Sequence, residues 1–265
     1  VSSLNKSRYV FVIVDDYSRF TWVIFLKNKN DTFDEFVSFC KRIQNQKSLN
    51  IVTIRSDHGG EFENESFSNF CDKYGITHNF AFPRASPQNG VVERKNRTLQ
   101  ECARTMLMDS NLPKYFWAEA TATACYVLNR VLIRPFLNKT SYELFHDRIP
   151  KVSYFKIFGC KCFILNTKDA LDKFDARSNE GIFVGYSTHS KAYRIFNKKS
   201  FTIEESLHVK FDESLTKLVS NDSPHDDDHI IDSPNDNIVI SSVDTNVSKD
   251  EEIPTELPKA YVEVR

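Results

Sequence analysis

The sequence lacks a run of about 18 apolar residues, which argues against a membrane-spanning helix. It also lacks a signal peptide, so secretion is not expected. None of its six cysteines, at 40, 71, 102, 125, 160 and 162, falls in a Cys-x-x-Cys pair. Most sit in apolar periodic stretches, where buried reduced thiols are the expectation over disulfides or zinc ligands. That fits an intracellular setting. There is no internal repeat and no clear nuclear-localisation cluster. The chain begins with Val rather than Met and is expected to be a piece of something longer.

What is present is aromatic and sharply divided by charge. With 22 Phe and 10 Tyr in 265 residues, one good core plus a small second unit is within reach. The net charge of −1 hides two regions. Residues 213–265 hold 13 Asp and Glu against 4 Lys and Arg, a net of −9. Residues 1–212 hold 31 basic against 23 acidic groups, a net of +8. A basic globular part suits a polyanionic partner, although an ordinary mixed surface reads the same way. The acidic stretch has no Gly, four Pro and one aromatic, Tyr261, a composition that predicts disorder.

Hydrophobic patterning gives the elements. Residues 9–15 and 20–27 read as a hairpin joined by Asp16–Arg19. A helix is expected over 32–46, with Phe33, Phe36, Cys40 and Ile43 on one face and a Thr32/Glu35 capping box. Strand 51–55 ends just before Asp57. A helix over 65–73 stops at Gly75, strand 77–82 follows, and a loop from Pro83 to Gly90 leads into a helix over 90–109. Another helix follows Pro113 to about 131, with Trp117, Ala120, Ala124 and Leu128 inward. Thr140 and Glu143 cap a short helix. From about 155 to 212 short strand-like runs predict a small β-barrel or sheet.

Two carboxylates stand out. Asp57 lies in Ile-Arg-Ser-Asp-His-Gly-Gly-Glu-Phe, and Glu93 in Ser-Pro-Gln-Asn-Gly-Val-Val-Glu-Arg-Lys-Asn-Arg, with 35 residues between them. Asp57 sits at a strand end, where Gly59 and Gly60 let the backbone turn away. Glu93 is expected near a helix start, its charge set against the dipole. Two hard oxygen ligands beside Arg94, Lys95, Arg97 and Arg104 suggest a divalent-metal site facing a phosphodiester. Gln88 and Asn89 precede the helix and are candidate substrate contacts. Each residue also has a plain reading: a turn Asp, a first-turn Glu, a solvated basic face. Asp15 and Asp16 read as hairpin caps, and His58 as a supporting or surface residue.

Together the segments YVFVIVDDYSRFTWVIFLK, IRSDHGGEF, FCDKYGI, SPQNGVVERKNRTL, LPKYFWAEA and FGCKCFIL…GIFVGYS…AYRIFN resemble the integrase of copia-type LTR retrotransposons, over nearly all of residues 1–212. The 35-residue gap matches that family's second and third acidic residues. The resemblance implies an α/β, RNase H-like integrase core (1–110), core C-terminal helices (111–150), a small SH3-like β domain (155–213) and a disordered acidic linker (214–265). It implies metal-dependent 3′-end processing and strand transfer of DNA, with two Mg²⁺ (or Mn²⁺) ions held by Asp57, Glu93 and a further Asp. It also implies a homo-multimer acting on element and target DNA, first in a cytoplasmic particle and then in the nucleus.

The family's first Asp lies in an Asp-Leu-x-Gly-Pro-like motif on the central strand of a sheet ordered 3-2-1-4-5. No such motif precedes the hairpin, and the upstream His/Cys zinc module is missing too. The expectation is therefore that strand 9–15 leaves a gap beside 51–55 or moves to pair with it, and that the chain alone is inactive. A non-catalytic nucleic-acid-binding remnant is the alternative. A ribonuclease H is a third option, against which the Pro-Gln-Asn-Gly-Val-Val-Glu helix argues.

Overall fold

The computed structural model describes residues 1–80, 86–166, 176–212 and 259–264. Strands β1 (Tyr9–Asp15) and β2 (Thr21–Leu26) form the expected antiparallel hairpin. Its turn is held by the Asp15 carboxylate, which accepts from the Ser18 backbone N–H at 2.7 Å. Helix α1 (Thr32–Lys47) buries Phe36, Phe39, Cys40 and Ile43. Its start differs from the expected capping box. The box is formed one turn earlier, by Asn28 and Asp31, and Thr32 lies inside the helix, its hydroxyl donating to the Lys29 carbonyl at 2.6 Å. A short 3₁₀ turn takes the capping residues before the α-helix begins.

Strand β3 (Ile51–Ser56), helix α2 (Glu65–Tyr74) and strand β4 (Thr77–Phe80) follow. Gly75 ends α2 at φ +63°, the left-handed conformation that a side chain would disfavour. Helix α3 spans Ser86–Asp109, longer than the expected 90–109. Pro87 falls in its first turn, where the absent N–H has no partner to lose, so Gln88 and Asn89 are helical rather than looped. Helix α4 (Trp117–Val131) runs beside α3. The two-residue strands β5 (Ile133–Arg134) and β6 (Lys139–Thr140) lead into α5 (Ser141–His146). The predicted Thr140/Glu143 capping box opens α5.

Strands β7 (Lys161–Leu165), β8 (Ser178–Tyr186), β9 (Tyr193–Asn197), β10 (Thr202–Ser206) and β11 (Val209–Asp212) make an antiparallel sheet ordered β10-β9-β8-β7-β11. It packs directly on α4. At the contact, Gly185 has φ +150° and a Cβ there would lie 2.7 Å from the Thr123 hydroxyl.

The first sheet is ordered β2-β1-β12-β3-β4, where β12 is Lys259–Val264. The four expected strands thus take the expected places. Neither fate foreseen for the centre occurs: there is no gap, and β1 does not pair with β3. Residues 1–8 supply no strand. Instead β12 runs parallel to β1 and antiparallel to β3, with Val12 opposite Lys259 and Ser56 opposite Ala260. The acidic segment read as disordered therefore ends in a strand; residues 213–258 lie outside the described residues. The physical reason is pairing demand. The facing backbone groups of β1 and β3 are costly to leave unpaired, and Lys-Ala-Tyr-Val-Glu-Val, free of Gly and Pro, can extend between them.

The core is layered around this sheet. One face packs Phe11, Ile13, Phe36, Phe39, Ile54, Phe62 and Phe67 with α1 and α2. The other packs Val10, Val12 and Val14 against Val92 and Leu99 of α3 and Ala124 and Cys125 of α4. All six cysteines are free thiols, and five are buried. No helix among the described residues is long and apolar enough to cross a membrane.

Candidate functional site

Asp57 is the first residue past β3, half-buried. Its carboxylate accepts from the Gly59 N–H at 3.3 Å. The chain then folds back, as the Phe62 N–H donates to the Gly59 carbonyl at 2.8 Å and the Phe62 ring buries in the core. Asn64 ends the loop by accepting from the Phe67 N–H at 3.0 Å, which caps α2. Asp57 is thus held by a short loop pinned at both ends.

A support beneath Asp57 was missed in the sequence. The Ser56 hydroxyl donates to the Asp57 carbonyl at 2.9 Å, and its oxygen lies 2.9 Å from Nε2 of His78. A hydroxyl has one proton to give, so His78 is the donor in the second contact. Burial holds the His78 pKa below its ordinary value. The signal available was His78 at mid-strand in β4, beside β3. His58, by contrast, stacks on Phe80 at 5.0 Å and lies 3.2 Å from Glu63, a supporting and exposed position.

Glu93 is exposed on α3, two turns from its start. The expected help from the helix dipole is therefore weak, because that effect fades within the first turn. At 100° per residue, Glu93, Arg97, Gln100 and Arg104 share one stripe, with Arg94 on its flank. Arg94, Arg97 and Arg104 are exposed. Lys95 points to the opposite side. It is half-buried, its pKa lowered first by burial and then by Arg19 and Arg134. The structure does not place it with Glu93. Gln88 and Asn89 lie in the first turn of α3. Asn96, on α3's buried side, has an amide with no hydrogen-bond partner among the described residues.

Both residues belong to elements that border the central strand. Asp57 follows Ser56, which pairs with Ala260, and α3 lies over β1 and β12. Asp15 is elsewhere, level with Val262. Among the described residues, no group of three or more His, Cys, Asp or Glu side chains is placed to hold a metal ion.

Residues 1–86 match the integrase core domain family, and residues 160–225 match the retroviral polymerase SH3-like domain. The chain is 33% identical over 220 residues to a retrovirus-related Pol polyprotein from transposon TNT 1-94 of Nicotiana tabacum. That alignment covers 83% of the chain and 17% of the relative. The chain belongs with the integrase regions of copia-type retrotransposon Pol polyproteins. The Pol polyprotein from transposon RE1 of Arabidopsis thaliana is 32% identical over 215 residues, covering 81% of the chain and 14% of that protein. Among solved structures, the HTLV-2 integrase catalytic core domain in complex with magnesium is 26% identical, with a TM-score of 0.39. It covers 50% of this chain and 81% of its own. The integrase core match includes Asp57 and stops before Glu93, and the chain spans under a fifth of its curated relatives.

Proposed function

We propose that this integrase core contributes Asp57 and Glu93 to metal-dependent 3′-end processing and strand transfer of retrotransposon DNA. The observation that supports this reading is that both residues lie on elements beside the central strand, Asp57 just past the end of β3 and Glu93 on the helix that packs over β12. Their chemistry suits Mg²⁺ or Mn²⁺, which take one or two carboxylates together with water and phosphate oxygens. When bound, such an ion lowers the cost of charge on the attacking and leaving oxygens.

The protein's own residues do the rest. The Gly59 N–H, Ser56 and His78 fix the position of Asp57. Arg94, Arg97 and Arg104, and Gln88 and Asn89 at the start of the same helix, are the proposed contacts to DNA. Nuclear integration after a cytoplasmic stage, and a homo-multimer as the working unit, belong to the same reading.

The chain as it stands is proposed to be inactive in joining. The central strand carries one acid, Glu263, level with Thr53, four residues from Asp57. At about 3.3 Å per residue that is roughly 13 Å along the sheet, so no acid of the central strand is level with Asp57. This observation also favours the second reading, a nucleic-acid-binding remnant.

Mn²⁺ titration by calorimetry, together with a joining assay on a labelled duplex end, tests the proposal. Weak Mn²⁺ binding that is lost in Asp57→Asn and Glu93→Gln, without joining, is the expected result. Binding unchanged in both variants would remove Asp57 and Glu93 from the site. Joining by the chain alone would overturn the proposed inactivity.

A further inference from the structure

A second site lies at the turn end of the first hairpin. There a cavity of about 700 Å³ opens between the β1–β2 turn, the C-terminal end of α1 and the β5–α5 segment. Its walls include Asp16, Tyr17, Arg19, Lys47, Arg134 and Phe136. Asp15, also in the wall, is level with Val262, three residues and two strands from the register position of Asp57. At about 3.3 Å per residue and 4.8 Å per strand, the separation is roughly 14 Å. The cavity is therefore not part of the carboxylate pair.

Its charge balance is positive. The Asp15 carboxylate is engaged by the Ser18 N–H and hydroxyl, and Asp16 pairs with Arg19. Lys47 donates to the Phe145 carbonyl and lies 4.0 Å over the Phe145 ring, and no carboxylate pairs with it among the described residues. Arg134 has no acidic partner among the described residues.

Two neighbouring groups register the same excess. The pKa of Lys95 is lowered by burial and then by Arg19 and Arg134, against a raising contribution from Cys125. His146 is pushed down to about 4 by burial and then by Lys47, Arg148 and Arg130, with Asp147 opposing. Arg130 itself is held between the Tyr126 and Tyr142 rings, 3.4 and 4.3 Å from their centres.

The rim is aromatic. Phe136 is 96% exposed and Tyr17 62% exposed. A net positive charge beside exposed ring faces is what a single-stranded nucleic acid requires, since phosphates need charge and unstacked bases need a platform. A duplex keeps its bases stacked and cannot offer them to Phe136.

We infer that this cavity is a second nucleic-acid site, holding the backbone phosphates of single-stranded DNA on Lys47 and Arg134 and stacking a base on Phe136. It does not depend on the carboxylate pair or on metal.

The test is fluorescence anisotropy of a labelled oligothymidylate with the full chain in EDTA, across a salt series, with a duplex of equal length as the second arm. Arg134→Ala should lower the salt slope by about 0.7, the share of one phosphate contact on a single strand. Phe136→Ala should weaken single-strand binding about tenfold and leave duplex binding unchanged. EDTA removes divalent metal from the assay, which separates this site from the metal reading. Circular dichroism melting confirms that each variant is folded. Unchanged slope and affinity in folded Arg134→Ala and Phe136→Ala would overturn the site. Equal loss of duplex and single-strand binding in Phe136→Ala would overturn the single-strand assignment.

Discussion

Arg194 of β9 reaches Glu119 of α4 and forms an ion pair at 2.5 Å, with a second contact, a hydrogen bond, at 3.2 Å. Glu119 is buried, and burial raises its pKa while Arg194 pulls it back. The pair ties the second sheet to the helix that backs the first. Arg194→Ala would leave a buried carboxylate without its partner. The expected cost is about 3 kcal/mol, because breaking a buried pair costs more than the pair contributes. A Glu119→Leu/Arg194→Met double variant should recover most of it. Urea denaturation of the three proteins measures both effects.

The central strand is the second test. Deleting residues 259–265 would expose the inner edges of β1 and β3, where Val12 to Asp15 and Ile51 to Ser56 now meet β12. Amides along these two strands should exchange faster in the deletion than in the parent, while those of β8 and β9 keep their rates. Hydrogen exchange read by mass spectrometry decides it. Unchanged protection in β1 and β3 would show that β12 contributes nothing to the sheet.

Gly185 carries the contact between α4 and the second sheet in its backbone. The Thr123 hydroxyl donates to the Val184 carbonyl at 2.9 Å, and a Cβ at Gly185 would fall 2.7 Å from that hydroxyl. Gly185→Ala adds φ strain to the clash, and about 2 kcal/mol of destabilisation is expected. Thr123→Ala in the same background relieves the clash and leaves the strain, so it should recover only part of the loss in thermal melts.

Acid should weaken the fold through its histidines. The pKa values of His146, about 4, and His78 lie below the ordinary value of 6.5, in both cases with burial as the first cause. The unfolded chain then binds more protons than the folded one in this range, so stability rises with pH. The contribution is full above pH 6.5 and is lost as the pH falls from there towards 4. After allowance for solvent screening, His146 accounts for about 2 kcal/mol across that window. Chemical denaturation at stepped pH should show the loss, and His146→Phe should flatten it.

Much of the molecule was legible because local signals agreed. The β1–β2 hairpin was written in two β-rich apolar runs joined by a polar turn, the end of α2 in Gly75, and the start of α5 in Thr140 and Glu143. The start of α3 was not. Ser86 to Gly90 reads as a loop on composition, and only a first turn that tolerates Pro87 makes it helical. The separation of Lys95 from Glu93 follows from helix geometry, since two residues along a helix lie about 200° apart, and packing decided only that the Lys95 side is the one covered.

By itself the sequence determined the strand and helix order, the carboxylates at 57 and 93 and the kinship with integrases, because each is carried by residues close along the chain. Only the tertiary structure decided what fills the centre of the sheet. Lys259–Val264 is short, set in an acidic stretch and far from β1 in sequence, and its strand form comes from the hydrogen bonds that β1 and β3 offer it. The same holds for the basic cavity: Arg19, Lys47 and Arg134 come from three separate segments, and only packing brings their charges together.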